Sequence, residues 1–251
     1  EMCIRDSNES IDLGFNHKSG LFVNGGYTRN NHGGWQGDLT GREKRWHPKD
    51  QALMNGMFGF QNRNMNVWYR LDFLDEKIFG PNNGSELQPE KVSDKDFLTK
   101  RYTHQLQSDW KLDNRLDAHA ALSYQDYKRR TRTTESDLST GEKWLSSAEA
   151  SQDITQYKAW IARATVAWNI APEFSVQPGV EYQWTQGEGG RIDGTPKVSD
   201  LAFFLSAEYK PWEWLSLRPG VRTFIVADYD APIAIPSVLT KFKLTKHMDL
   251  R

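Results

Sequence analysis

Apolar and polar residues alternate along most of the chain. Period two is the period of a β-strand, whose successive side chains point to opposite faces. Residues 174–185 set Phe174, Val176, Pro178, Val180, Tyr182 and Trp184 against Ser175, Gln177, Gly179, Glu181, Gln183 and Thr185. Residues 116–125 set Leu116, Ala118, Ala120, Leu122 and Tyr124 against a largely polar parity. Residues 160–170 carry Trp160, Ala162, Ala164, Val166, Trp168 and Ile170 on one side. Residues 65–75, 201–209 and 215–225 repeat the pattern through Val67, Tyr69, Leu71 and Phe73, through Leu201, Phe203, Leu205, Ala207 and Tyr209, and through Leu215, Leu217, Pro219, Val221 and Ile225. These runs reach about ten residues, against ~5–6 for an ordinary strand. A tilted strand needs about 9–11 to cross a bilayer. No comparable helical stripe occurs.

The connections alternate in length. Short turns are predicted at 18–20, 61–64, 113–114, 171–173, 211–213 and 245–247. Longer polar segments fall at 29–50, 80–96, 133–153, 187–200 and, more briefly, 228–232. This is the rhythm of an up-and-down meander with its tight turns at one end, as in transmembrane barrels. About twelve strands are predicted, the last one cut short. Pro178-Gly179 and Pro219-Gly220 sit early in two strands and predict β-bulges, because proline removes a ladder donor and glycine accepts a bulge.

Composition narrows the classes. In 251 residues there is no apolar run of eighteen, which excludes a helical membrane span. Lys+Arg 32 against Asp+Glu 33 offers no global attraction to nucleic acid, and no nucleic-acid partner is expected. A single cysteine, Cys3, excludes a disulfide framework and a CxxC metal site. The opening EMCIRDS resembles translated sequencing-adapter residue, so 1–7 is expected to be an assembly artefact and 8–251 the folded part.

A β-sandwich also alternates, so the solvent facing the apolar parity has to be argued. Strand length favours lipid. So do the aromatics: Trp110, Trp168, Trp212 and Trp214 gather near the short turns, and Tyr102, Tyr124, Trp160 and Trp184 toward the far ends. Two such girdles mark two membrane interfaces. The predicted lipid face therefore holds Trp110, Trp160, Trp168, Val180, Tyr182, Trp184, Phe203, Leu205, Tyr209, Trp212 and Trp214. The opposite parity suits a wet lumen, with Arg70, Asp72, Arg101, Asp109, Arg163, Glu181, Glu208, Arg218 and Arg222. The fold class predicted is an all-β, partial antiparallel up-and-down transmembrane β-barrel.

Particular strings carry a family likeness. NVWYRLDFLDEKIFGPNNG, KRYTHQLQSDWKLDNRLDAHAALSYQDYKRRTRT, VQPGVEY, SLRPGVRTF and the closing IPSVLTKFKLTKHMDLR, in that order, resemble the barrel of TonB-dependent outer-membrane receptors. The likeness is greatest to receptors for cobalamin, haem or iron chelates from Bacteroidetes-type bacteria, and runs from about Ser10 to Arg251. It implies a 22-stranded barrel with an N-terminal plug in its lumen. The plug carries the segment that binds TonB. On this reading the chain is the middle of the barrel, without its plug, in the bacterial outer membrane. Its partners are its own plug, TonB through the plug, outer-membrane lipid and a small-molecule ligand. Alone it is expected neither to close nor to transport.

No catalytic constellation is present, and no enzyme, cofactor or resident metal is expected. His17, His32, His47, His104, His119 and His247 form no HExxH, and GxSxG, P-loop and GxGxxG are absent. GEGG at 187–190 reads as a flexible loop tip. Asp72, Asp75 and Glu76 are a carboxylate cluster of the kind a glycosidase employs, or simply lumen and rim charge. The run YKRRTR at 127–132 reads as a solvated strand extension, or as a rim attracting an anionic ligand or lipopolysaccharide phosphate. In the loop at 30–50, His32, Trp35, Arg42, Arg45, Trp46 and His47 are candidate contacts for a haem or chelate. The function predicted is energised uptake of a scarce ligand. A passive porin-like channel shares every barrel feature, and a secreted carbohydrate-binding β-protein is the rival from another class.

Overall fold

The structure, a computed structural model, describes residues 6–190, 192–226, 232–245 and 248–250. The expectations for Cys3, for most of the connection at 228–232 and for the turn at 245–247 fall outside them.

The described residues form one antiparallel sheet. Its strands are β1 (Ser7–Asn16), β2 (Leu21–His32), β3 (Lys49–Gln61), β4 (Met65–Gly80), β5 (Lys91–Lys111), β6 (Leu116–Asp137), β7 (Lys143–Leu145), β8 (Ile154–Ala171), β9 (Phe174–Glu188), β10 (Lys197–Trp212), β11 (Leu215–Val226), β12 (Ile235–Thr245) and β13 (Met248–Leu250). Each pairs with the next in sequence, except that β7 is a short spur on β6 and β8 takes the next place. No helix occurs among the described residues. The sheet is an up-and-down meander with β1 at one edge and β13 at the other.

Register carries the alternation from strand to strand. On one face a row runs Phe15, Val23, Phe58, Tyr69, Leu106, Leu122, Ala162, Tyr182, Leu201 and Ile225, each directly opposite the next. A slip of one residue at any ladder would break it. Arg70, Gln105, Ser123, Ile161 and Gln183 form the corresponding row on the other face.

The packing inverts that of a water-soluble domain. The buried apolar residues among those described are Leu74, Val92, Ala159 and Ala202, and no large side chain is fully buried. Phe58, Phe203, Leu205 and Ile225 are exposed, at 61, 50, 47 and 61 %. Soluble monomers do not leave a contiguous apolar surface spanning a whole sheet. A bilayer is the solvent that such a face requires.

Two expectations are corrected. The Pro-Gly pairs are not bulges: Pro178 and Gly179 stay in register with Leu205 and Phe204, and Pro219 and Gly220 with Val238 and Ser237. The irregularities lie beside short turns, at Asn169/Ala171, Tyr209/Trp212 and Lys243/Thr245. Proline removes one donor without adding a residue, so the register continues. Gly179 answers to packing, since a Cβ there would meet Phe204 Cζ at 2.3 Å. The strands are also longer than the alternation suggests, reaching 21 residues in β5 and 22 in β6. Charged and polar residues enter both parities at their outer ends, so periodicity fades where the ladder continues.

Candidate functional site

Three arrangements follow from this sheet: an apolar belt, a polar face and a set of stapled outer loops.

The belt is bounded by rings. Near the short turns Trp212 and Trp214 stack at 5.3 Å, and Trp214 lies 6.2 Å from Phe242. Toward the far end Tyr124 and Trp160 sit at 4.4 Å and Phe73 and Tyr102 at 4.7 Å. Trp160 is directly opposite Trp184. Along β8 the belt runs from Trp160 to Trp168, a length of ~26 Å along the strand. A tilt of about 40° reduces that to roughly 20 Å along the membrane normal. Trp110, Val180, Tyr182, Phe203, Leu205 and Tyr209 all lie on this face. His104 also faces this side, where its Nδ1 is 2.6 Å from the Tyr69 hydroxyl.

The polar face holds all nine predicted lumen residues, and it groups most of them. Glu181 on β9 accepts Arg222 Nη2 at 2.6 Å and Gln183 Nε2 at 3.0 Å, and lies 3.7 Å from Arg163 Nη1. Arg222 reaches Glu181 across β10, over Ala202, which has no exposed surface. The Phe204 ring lies under both guanidiniums, 4.9 Å from Arg163 Cζ and 5.7 Å from Arg222 Cζ. Glu208 takes Ser216 Oγ at 3.2 Å, Arg218 Nη2 at 3.3 Å and Lys210 Nζ at 3.1 Å. Arg70 grips Asp72 at 2.7–2.9 Å. His119 and Gln107 both bond Asp109. Arg101 stands apart and exposed. The carboxylates of the β4 cluster do not converge: Asp72 and Glu76 share the polar face, while alternation puts Asp75 on the other.

The outer loops are stapled to one another. Trp35 and Trp46 bridge by backbone hydrogen bonds of 2.9 and 3.0 Å, with rings at 5.7 Å, and His32 lies 6.4 Å from Trp46. Arg42 forks onto Asp94 at 2.7 and 3.1 Å and donates to the Asn82 carbonyl at 2.8 Å. Arg45 pairs with Asp38 at 2.7 Å, and His47 Nδ1 lies 3.2 Å from the Phe79 carbonyl. The structure thus brings His32, Trp35 and Trp46 together and spends Arg42, Arg45 and His47 on holding the loop. Asn82, Asn83 and Asp94, the other half of this staple, were not signalled by the sequence. Asn83 Oδ1 accepts Arg42 N at 2.7 Å. At the outer end of β6, the Ser139 hydroxyl, then the Ser139 and Thr140 amides, hold the Asp137 carboxyl below the usual carboxylate range. No group of three metal-ligating side chains occurs among the described residues.

The belt, the ion-paired face and the meander with short turns at one end define a class: the wall of a bacterial outer-membrane β-barrel. Solved structures narrow it. The outer membrane transporter YddB from Escherichia coli superposes with a TM-score of 0.67 at 11 % identity, over 95 % of this chain and 36 % of that one. The copper transporter OprC gives 0.64 at 12 %, over 86 % of this chain and 36 % of that one. The ferric yersiniabactin uptake receptor FyuA from Yersinia pestis gives 0.60 at 13 %, over 95 % and 43 %. The fold is therefore that of the barrel wall of TonB-dependent outer-membrane receptors, and the chain spans 36–43 % of the length of these three. No family model and no curated protein matches the sequence.

Proposed function

We propose that the chain is the middle part of the barrel of a TonB-dependent receptor that takes up a scarce ligand, such as an iron chelate, haem or cobalamin, across the outer membrane. The observation that supports this most strongly is the division of labour between the two faces. A passive channel needs a wet lumen; a plugged transporter also needs a wall that grips its plug. The Glu181–Arg163–Arg222 and Glu208–Lys210–Arg218 clusters supply ordered, charge-assisted donors and acceptors on the inner wall. Arg222 Nε is buried there with no hydrogen-bond partner among the described residues. The His32, Trp35 and Trp46 cluster at the outer rim is where a chelate or porphyrin would first touch. The belt speaks against a secreted sugar-binding sheet, because water would face it across the whole sheet.

In this mechanism the barrel is passive. Its apolar face seats it in lipid, and its polar face holds the plug while TonB pulls on it. The test is uptake by cells expressing the complete protein that carries this segment. A panel of radiolabelled ferric chelates, haem and cobalamin is offered with and without a proton-motive-force uncoupler. Saturable uptake of one of them, abolished by the uncoupler, is the expected result. Uptake that rises linearly with concentration and ignores the uncoupler would assign a porin instead.

A further inference from the structure

Two neighbouring outer connections, 33–48 between β2 and β3 and 81–90 between β4 and β5, are joined at their tips by one side chain. Asn83 Oδ1 accepts Arg42 N at 2.7 Å, and Asn83 Nδ2 donates to the Thr40 carbonyl at 3.0 Å. Between those contacts stands Gly41, at φ +72°, where any Cβ would run into the Asn83 carboxamide. A neutral carboxamide satisfies both contacts, because it offers an acceptor to the Arg42 amide and a donor to the Thr40 carbonyl. A carboxylate satisfies only the first.

Asn83 is followed by Gly84. Glycine has no side chain to shield or restrict its backbone nitrogen, so in an Asn-Gly pair that nitrogen can reach the carboxamide carbon. Three such pairs occur in the chain, and the fold treats them differently. Asn24-Gly25 lies within β2 and Asn55-Gly56 within β3. Gly25 pairs with Leu13 and Gly56, and Gly56 with Leu71, in the lipid-facing row. Ladder pairing fixes those backbones, and water is scarce on that face. Asn83-Gly84 lies outside the strands, with Asn83 exposed. The Gly84 amide donates no hydrogen bond to any described residue. The loop pair thus combines a free backbone nitrogen, access to water and a carboxamide that holds two loops together.

We propose that Asn83 is a self-modification site: it converts to aspartate or isoaspartate through a cyclic imide with Gly84, and the conversion releases the two loops from each other irreversibly. The Gly84 nitrogen attacks Asn83 Cγ, forming an N–Cγ bond and a five-membered imide. The Cγ–Nδ2 bond breaks, and Nδ2 leaves as ammonia, taking through water the proton that Gly84 gives up. A water molecule then opens the ring at either carbonyl. One water enters, one ammonia leaves, and nothing is oxidised or reduced. While the staple is closed, both ends of the carboxamide are bonded and it is not free to turn toward Gly84. The step therefore waits for a local opening of the loops. The product does not reclose the staple. Aspartate sets an acceptor against the Thr40 carbonyl, and isoaspartate adds a carbon to the backbone path and shifts the carboxylate off Arg42 N. The proposal is independent of plug, cargo and TonB.

The test uses the complete protein, purified in detergent and incubated at neutral and mildly alkaline pH. Its peptides are read by mass for conversion of amide to carboxyl, and by chromatography for isoaspartate. Wild type is expected to convert Asn83, faster at the higher pH, and to leave Asn24 and Asn55 intact. Asp94→Asn, which removes the charge from the fork with Arg42, is expected to raise the rate at Asn83 about tenfold, the effect of losing a charge-assisted bond that keeps the loops closed. Folding is read from heat-modified migration on a gel. Should Asp94→Asn fail to fold, Arg42→Lys, which loses the fork, is expected to raise the rate in the same direction. Conversion, and the variant Asn83→Asp, are expected to speed amide exchange at residues 40–42. No conversion of Asn83, equal conversion at the three Asn-Gly pairs, an unchanged rate when the staple is weakened, or unaltered exchange at 40–42 after conversion would each overturn the proposal.

Discussion

The two faces of this sheet are built from the same strands, residue by residue, yet they are held by different forces. The polar face is where side chains are buried and bonded: Glu181 is 7 % exposed and Ala202 has no exposed surface. The apolar face is where large side chains stand free, with Phe58 and Ile225 both 61 % exposed. In a soluble protein the assignment is the reverse. The contrast teaches that cohesion on the inner face comes from charge-assisted hydrogen bonds between neighbouring strands. The outer face contributes little by itself and depends on hydrocarbon to cover it. The sheet is therefore conditional on its solvent on one side and self-sufficient on the other.

The sharpest way to break that contrast is a charge exchanged between faces. Leu205→Arg, in the middle of the belt on β10, is expected to cost about 2–4 kcal/mol, and Ser206→Arg, one residue on and facing inward, less than about 1 kcal/mol. Urea unfolding of the complete protein in lipid vesicles measures both, and equal costs would sink the assignment of faces. A smaller effect is expected from Glu181→Gln, which keeps the shape but leaves Arg163 and Arg222 without their carboxylate. A buried pair broken in this way costs ~3–5 kcal/mol. Because the two guanidinium side chains are 49 and 31 % exposed, solvent screening reduces the expected loss to about 1–2 kcal/mol. The same unfolding assay applies, and adding Arg222→Gln should recover part of the loss.

The smallest effect is a pH response at the outer loops. The Asp137 carboxyl is lowered chiefly by the Ser139 hydroxyl, and also by the Ser139 and Thr140 amides. A lowered carboxylate contributes stability above its ordinary range and loses it as pH falls through the lowered value. The turn at 137–142 should therefore open in acid while the ladder of β5 and β6 holds. Amide exchange of Ser139 and Thr140 at neutral and acid pH reads this directly, and Asp137→Asn should remove the difference.

The belt was legible because a lipid face imposes one rule on every second residue, and the run from Phe174 to Trp184 obeys it without reference to any other strand. The outer ends of β5 and β6 were not legible, since charged and polar residues enter both parities there and pairs such as Asp96 with Arg132 are set by register. The Pro-Gly pairs misled for a related reason. A local motif suggested a local irregularity, whereas Gly179 is set by the Phe204 ring on the neighbouring strand. In the loop at 33–48 the sequence marked Arg42 as a contact for a ligand, and the structure shows it bound to Asp94, 52 positions away.

The sequence by itself determined the period, the face that each side chain would take and the order of short and long connections, because these depend on nearest neighbours along the chain and on the solvent each face meets. Only the tertiary structure decided which charges meet. Glu181, Arg163 and Arg222 come from β9, β8 and β11, and they converge because register sets Arg163 directly opposite Glu181 and places Ala202 between Glu181 and Arg222, small enough for a guanidinium to lie across it. Pairing of that kind depends on ladder register summed over several strands, and no single stretch of chain encodes it.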